Sequence, residues 1–511
     1  MGKAECKGGM YMSLICVSDL SFTYEGSYEP IFENVSFQID TDWKLGFTGR
    51  NGRGKTTFLH LLKGDYEYNG SITTNVDFDY FPFPILNQEI DTLEIILERM
   101  PEIEFWRLKK ELGKLHVKED VLYRSFDTLS YGEQTKVLLG ALFVRENKFL
   151  LIDEPTNHLD LEGRKLLGEY LNQKKGFLLV SHDRAFLDSC VDHMLCINRT
   201  NIQVQKGNFS TWYENKERQD SFELAEQERL KKEIGRLKEA SRQARGWGDQ
   251  VESTKIGKKS LNYERNRDYV GEKSRRMQQR RKNLERRQEQ AIEEKRGLLK
   301  NLETAETLRL EPISYHKETL VSARELVPGY GNKMVCSPVS FEVRQGSRIL
   351  LQGENGCGKS SILKLILEQA GIKEDSQIRM IEGSLEIGSG LKISYISQTT
   401  AHLKGSLKEY AKMWQVEESL LKALLRKLDF SREQFDKNLE YYSEGQKKKV
   451  LIARSLCEKA HLYIWDEPLN YIDIYSRMQI EELIRIWSPT LLCVEHDRAF
   501  GADVGAETIK I

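Results

Sequence analysis

Apolar positions along this chain form short runs that recur, in the same order, in each half. In the first half "WKLGFT" leads into a glycine-rich loop and then the helical pattern "FLHLLKG"; in the second, "SRILLQ" leads into another such loop and "ILKLILEQ". Further on, "FLLIDEP" and "LYIWDEP" are apolar runs closed by two acids, and "GFLLVSHD" and "TLLCVEHD" are apolar runs closed by His-Asp. Unbroken apolar runs of this length, next to helical periods, predict strands buried on both faces and therefore two α/β halves. Between them the pattern changes. Leu230, Ile234, Leu237 and Ala244 fall at helical spacing, and Met277, Leu284, Ala291 and Leu298 recur every seven residues. Two antiparallel helices of roughly 30 to 35 residues are expected, projecting about 45 to 50 Å at a rise of about 1.5 Å per residue. Their tip, about 246–272, contains "GWGDQVESTKIGKKSLNYERNRDY", which has too few apolar residues to build a core. The expected domains are 12–212, a linker 213–310, and 311–511.

Composition sharpens this division. The net charge is only −1, but Glu226 to Arg296 holds 22 Lys plus Arg against 13 Asp plus Glu, a local +9 that leaves −10 elsewhere. With 39% hydrophobic residues and no apolar run of about 18, no membrane span is expected. The start has no long apolar stretch with a cleavage site, and Met12 is an alternative start. Cys6, Cys16, Cys190, Cys196, Cys336, Cys357, Cys457 and Cys493 show no CxxC pair or disulfide framework, which reads as reduced thiols in the cytoplasm.

The loops carry chemistry. "GRNGRGKTT" and "GENGCGKSS" both match GxxxxGK[ST], 304 residues apart, each between a strand and a helix pattern. Glycines there let backbone N–H groups curl around phosphates, a lysine neutralises the β- and γ-phosphates, and the next hydroxyl holds Mg²⁺. The candidate nucleotide contacts are Gly49, Asn51, Gly52, Gly54, Lys55, Thr56 and Thr57, and Gly353, Asn355, Gly356, Gly358, Lys359, Ser360 and Ser361. ATP with Mg²⁺ is the expected ligand. Asp153 and Asp466 suit Mg²⁺ binding through water, together with Thr56 and Ser360. Glu154 and Glu467, one residue on, suit a general base for the attacking water. His182 and His496 recur after equivalent strands and join the catalytic candidates.

These residues, with "LSYGEQ" and "YSEGQ" just upstream of the acidic strands, resemble the ATP-binding-cassette ATPases, whose signature is LSGGQ. The resemblance implies two tandem cassettes facing each other head to tail within one monomer. Ser130 and Gly132 would then complete the site at Lys359, and Ser443, Gly445 and Gln446 the site at Lys55. Tyr24 and Tyr330 match the adenine-stacking position. Gln398, in "YISQ", matches the family's Mg²⁺- and water-sensing glutamine, whereas Phe83 stands at the matching place of "YFPF", so unequal sites are expected. Both signatures replace the third residue, with Tyr131 and Glu444.

Tandem cassettes joined by a charged linker resemble the ABC-F family of ribosome-binding ATPases. Arg245, Trp247, Lys255, Lys258, Lys259, Tyr263, Arg265 and Arg267 are the candidate RNA contacts, cations on phosphates and rings on bases. The absence of a large insertion before either signature, the long linker, "DEPLNYID" and "VEHDRAF" in the second half, and the absence of a C-terminal tail are together similar to the antibiotic-resistance branch, the Vga/Lsa-type ribosome-protection proteins. That resemblance implies a bacterial 70S ribosome as partner, with the tip near the peptidyl-transferase centre, its 23S rRNA and the P-site tRNA, displacing lincosamides, streptogramin A compounds and pleuromutilins. Spacing and charge fit equally an ABC-F housekeeping factor for stalled ribosomes. A transporter ATPase subunit and a DNA-associated coiled-coil ATPase are further readings; the first lacks a membrane segment and the second would need a longer coiled coil.

Overall fold

In the computed structural model, each half is built on a buried parallel sheet that delivers its loops to one edge. The structure describes residues 14–25, 30–157, 159–197, 202–222, 313–331, 333–372 and 377–511, with scattered positions between 225 and 239. In the first half the strands are β1 (Leu14–Phe22), β2 (Phe32–Asp40), β3 (Lys44–Thr48), β4 (Asn69–Thr73), β5 (Asp77–Phe81), β6 (Lys148–Asp153), β7 (Phe177–Val180), β8 (His193–Ile197) and β9 (Ile202–Lys206). Its helices are α1 (Lys55–Lys63), α2 (Thr92–Arg99), α3 (Phe105–Lys114), α4 (Tyr131–Leu142), α5 (Leu161–Asn172) and α6 (Arg184–Cys190). The main sheet runs β5-β6-β7-β3-β8-β9, parallel except for β9, and a second antiparallel sheet runs β2-β1-β4. Phe149 to Ile152 and Phe177 to Val180 are buried throughout, which is why these runs show no alternation.

The second half repeats the plan. Its strands are β10 (Thr319–Tyr330), β11 (Lys333–Met334), β12 (Val339–Arg344), β13 (Arg348–Gln352), β14 (Ile378–Ile387), β15 (Ile393–Ile396), β16 (Leu462–Asp466), β17 (Leu491–Val494) and β18 (Glu507–Lys510). The helices are α7 (Lys359–Gln369), α8 (Leu407–Met413), α9 (Glu418–Lys427), α10 (Arg432–Phe435), α11 (Glu444–Cys457), α12 (Ile474–Trp487) and α13 (Arg498–Asp503). The parallel sheet runs β15-β16-β17-β13-β18, and β10 pairs with β11, β12 and β14. Every residue of β16 is buried, Trp465 completely, with its indole N–H donating to Ser455 Oγ at 2.9 Å. The α/β architecture with two tandem cassettes is therefore present.

Both cassettes, Met1–Trp212 with Thr307–Ile511, form one compact unit, and Tyr213–Glu306 forms a second. In the second unit the described residues 213–222 are helical. The predicted tip, with Arg245, Trp247, Lys255, Lys258, Lys259, Tyr263, Arg265 and Arg267, lies outside the described residues. Among the described residues no helix is long and apolar enough to cross a membrane.

Candidate nucleotide sites

Each glycine-rich loop leaves a sheet strand, β3 or β13, and ends on the first turn of α1 or α7. The residue capping each helix is a glycine in the left-handed region, Gly54 at φ 90° and Gly358 at φ 99°. A Cβ at Gly54 would stand 2.4 Å from Ile31 Cγ2, so no larger residue fits this turn. Inside the loops, Lys55 Nζ donates to the carbonyls of Gly49 at 2.7 Å and Arg50 at 3.3 Å, and Lys359 Nζ to those of Gly353 at 2.9 Å and Glu354 at 2.6 Å. The loops curl as a phosphate cradle does, with the ammonium at the centre.

The hydroxyl after each lysine meets the acid closing the neighbouring strand. Thr56 Oγ1 donates to Asp153 Oδ2 at 3.0 Å, and Ser360 Oγ to Asp466 Oδ1 at 3.1 Å. Tyr80 Oη also donates to Asp153 Oδ2, at 3.1 Å. A hydroxyl beside a carboxylate is the oxygen donor set that Mg²⁺ takes when phosphates and water complete its shell, so the residues fit that ion. Among the described residues no group of three or more His, Cys, Asp or Glu could hold a metal without such a ligand.

Glu154 and Glu467 follow those strands on matching backbones. Their φ values are 49° and 47°, and their N–H groups donate to Val180 at 2.9 Å and Val494 at 3.0 Å. A glutamate held in the left-handed region is strained, and strain of this kind gathers where a side chain must be aimed. His182 Nε2 stands 3.3 Å from Glu154 Oε1, without the alignment of a hydrogen bond. His496 is buried, and its Nε2 has no hydrogen-bond partner among the described residues. Burial, and then the charge of Lys359, pushes His496 down to about 4. His182 falls well below its ordinary value by burial, then by Lys55 and Arg477. Both imidazoles are therefore neutral at neutral pH.

Burial raises the Glu154 carboxyl to about 8, and the charge of Asp153 adds to the rise. Burial likewise raises Asp466 to about 6, with Glu467 second. A raised carboxyl binds its proton more tightly in the folded chain than in the unfolded one. Its stabilising contribution is complete below the ordinary value of 4.5 and is lost as pH rises through about 8. Melting of the nucleotide-free protein should thus fall between pH 6 and 8.5, and Glu154→Gln should flatten that slope by up to about 1.4 kcal/mol per pH unit. Identical slopes for parent and variant in a pH series of melting curves would refute the assignment.

The two halves meet head to tail. Asn51 Nδ2 donates to Tyr471 O at 2.9 Å, and Arg50 pairs with Asp429 at 2.8 Å, so the first loop touches the second cassette. A Cβ at Gly445 would stand 2.8 Å from Asn51 Nδ2 and 2.5 Å from Tyr471 O; the second signature is therefore packed directly against the first loop. At the other site Ser130, Gly132, Lys359, Ser360, Gln398 and His496 line one cleft of about 810 Å³. Ser130 and Ser443 each cap a helix, α4 and α11, in capping boxes with Glu133 and Gln446. Tyr24 and Tyr330 are partly exposed, and their Oη atoms lie 2.7 Å from Thr57 Oγ1 and 3.5 Å from Ser361 Oγ.

The sites differ as well as match. Phe81 pairs with Ile152 and Ile396 with Trp465, each one residue before the strand-end aspartate, so strand register equates Phe83 with Gln398. Gln398 Nε2 donates to Glu467 Oε2 at 2.8 Å, while Phe83 is buried with Arg99 over its ring at 5.8 Å. Asn470 Nδ2 gives Glu467 a second donor at 2.8 Å. Lys448 Nζ, buried, donates to Ser397 O and Glu467 O at 3.2 and 3.0 Å. Asn470 and Lys448 were missed from sequence, although Asn470 stands inside "DEPLNYID". Glu154→Gln and Glu467→Gln, made singly, should therefore leave different residual ATPase rates; equal rates at saturating ATP would show that Phe83 and its surroundings do not distinguish the sites.

Comparison with known proteins adds to this geometry. Residues 32–157 and 336–470 match the sequence profile of the ABC transporter family. The chain is 26% identical to the ribosome protection protein VmlR of Bacillus subtilis (strain 168), across 94% of this chain and 83% of that one. It is 25% identical to ABC transporter F family member 2 of Arabidopsis thaliana, across 97% of this chain and 76% of that one. Among solved structures, the archaeal ribosome recycling factor aABCE1, crystallised with the ribosomal stalk protein aP1, superposes with a TM-score of 0.60 at 20% identity, covering 96% of this chain and 87% of that one.

Proposed function

The chain belongs to the ABC transporter family and is an ABC-F ATPase, and from that premise we propose that it binds the bacterial 70S ribosome and protects it from drugs of the peptidyl-transferase centre. The observation that carries this reading is the joining of two composite nucleotide sites by a segment of local charge +9 in a chain otherwise acidic. Similarity to a ribosome protection protein over nearly the whole chain supports it.

ATP would draw Lys55 and Lys359 from the loop carbonyls onto its phosphates, with Tyr24 and Tyr330 against adenine. Ser443, Gly445 and Gln446 close over the first site, and Ser130 and Gly132 over the second. Thr56 with Asp153, and Ser360 with Asp466 and Gln398, would hold Mg²⁺, which neutralises charge on the phosphate oxygens. Glu467, and Glu154 in its ionised form, take the proton of the attacking water, and the neutral imidazoles of His182 and His496 face the γ-phosphate. Cassettes 12–212 and 311–511 close as a monomer in the cytoplasm, and the linker 213–310 carries its tip towards 23S rRNA and the P-site tRNA. Lincosamides, streptogramin A compounds and pleuromutilins are displaced there, and hydrolysis releases the protein.

Phosphate contacts weaken with salt and read no sequence. Cosedimentation with 70S ribosomes and ATP across a salt series should show strong, salt-sensitive binding by the parent. Joint replacement of Lys255, Lys258 and Lys259 by alanine should weaken binding, flatten its salt slope and lower resistance to a lincosamide and a pleuromutilin. A parent that does not pellet with ribosomes would sink the ribosome reading. Binding without any change in drug susceptibility would favour the housekeeping alternative.

A further inference from the structure

Arg184 opens α6, two residues after His182, and reaches across to the other cassette. Its guanidinium pairs with Glu481 on α12 and, at 3.1 Å, with Asp503 at the end of α13. The arginine and Glu481 side chains are only 11% and 6% exposed, so water screens this pair little. The rest of the His182 loop is fastened at home: Asp183 Oδ1 accepts from Phe186 N at 3.0 Å, and its Oδ2 from Arg164 at 2.9 Å.

The positions that correspond to the two acids differ in the first cassette. Asp160 and Asp473 cap the corresponding helices α5 and α12, and counting from them places Gly168 where Glu481 stands. Counting from Asp183 and Asp497, the caps of α6 and α13, places Ser189 where Asp503 stands. A Cβ at Gly168 would come within 2.5 Å of Ser189 Oγ, and neither of these two positions carries a carboxylate.

We propose that Arg184 is a positioning residue for the first ATP site: by clamping the His182 loop to Glu481 and Asp503 of the second cassette, it sets His182 beside Glu154 only while the cassettes are joined. The proposal rests on the ATPase reading above. Nucleotide affinity is supplied by Lys55, Thr56 and Tyr24 on other elements, so the clamp acts on turnover and not on binding.

The test uses the full-length protein carrying Glu467→Gln, so that the turnover read is that of the first site, with Arg184→Met, Arg184→Lys, Glu481→Gln and the Arg184→Met/Glu481→Gln pair added, reading kcat and KM for ATP beside melting temperature against Glu467→Gln alone. Arg184→Met should lower kcat about tenfold with KM within about twofold, a transition-state loss without a binding loss. Arg184→Lys should recover kcat to within about threefold, and adding Glu481→Gln to Arg184→Met should change it by no more than about twofold, because both remove one interaction. Should Arg184→Met fail to fold, Glu481→Gln alone should still lower kcat several-fold at unchanged KM. An unchanged kcat, a KM that rises in proportion, a lysine that restores nothing, or losses that multiply would each overturn the clamp. A parent without ATPase activity would instead sink the ATPase reading itself.

Discussion

A chain carrying both Glu154→Gln and Glu467→Gln binds ATP at both sites but turns it over about two to four orders of magnitude more slowly than the parent, the usual worth of a positioned general base. Both glutamates occupy the same strained turn, with φ of 49° and 47°, after strand-end aspartates that hold the hydroxyls of Thr56 and Ser360. Glutamine keeps the side chain's size and loses only its proton acceptance, so the cradle around the phosphates stays intact. Filter binding should retain ATP on the variant while phosphate release ceases. Loss of ATP binding together with hydrolysis would mean that these residues build the pocket and do not serve its chemistry.

Asp473→Ala is expected to cost about 3–5 kcal/mol of stability, because it leaves a buried lysine without its carboxylate, with only the Leu428 carbonyl, among the described residues, still accepting from it. Lys449 Nζ lies 2.8 Å from Asp473 Oδ2, and the two side chains are 5% and 0% exposed. Burial alone would raise the Asp473 carboxyl, but Lys449 holds it well below the usual range. The same aspartate caps α12, accepting from Ser476 N and Oγ at 2.9 Å each. At Asp160, the corresponding cap of α5, the hydrogen bond to Gly163 N should be worth only about 1 kcal/mol. Denaturant melts would show a large midpoint shift for the first substitution and a small one for the second, with slopes unchanged. Equal shifts would mean that capping, and not the buried pair, dominates at Asp473.

Much of the site was legible because its chemistry is local in sequence. A phosphate loop must be contiguous, so its glycines, lysine and hydroxyl stand within nine residues in "GRNGRGKTT" and "GENGCGKSS". The strand-end acids and the His-Asp pairs were visible because central strands buried on both faces leave unbroken apolar runs before them. What escaped depends on three-dimensional partners. Arg184 stands in the repeated "HDRAF" run, but Glu481, 297 residues on, belongs to no recognisable local pattern, so their pairing is not legible in sequence. Lys448 looks like one of several signature-helix lysines until β15 and β16 bury it against the carbonyls of Ser397 and Glu467. Phe83 was legible as a departure, and strand register explains it, since the residue equivalent to Gln398 sits there with no amide to offer Glu154.

The central claim is that ATP closes two head-to-tail sites within one chain and that closure holds the protein on its ribosomal partner until hydrolysis. The most direct measurement is cosedimentation of the Glu154→Gln/Glu467→Gln variant with 70S ribosomes, in ATP and in ADP. Accumulation in the ribosomal pellet well above the parent with ATP, and return to the parent's level with ADP, is the predicted result. A variant no more ribosome-bound than the parent in ATP, or bound equally in both nucleotides, would contradict it.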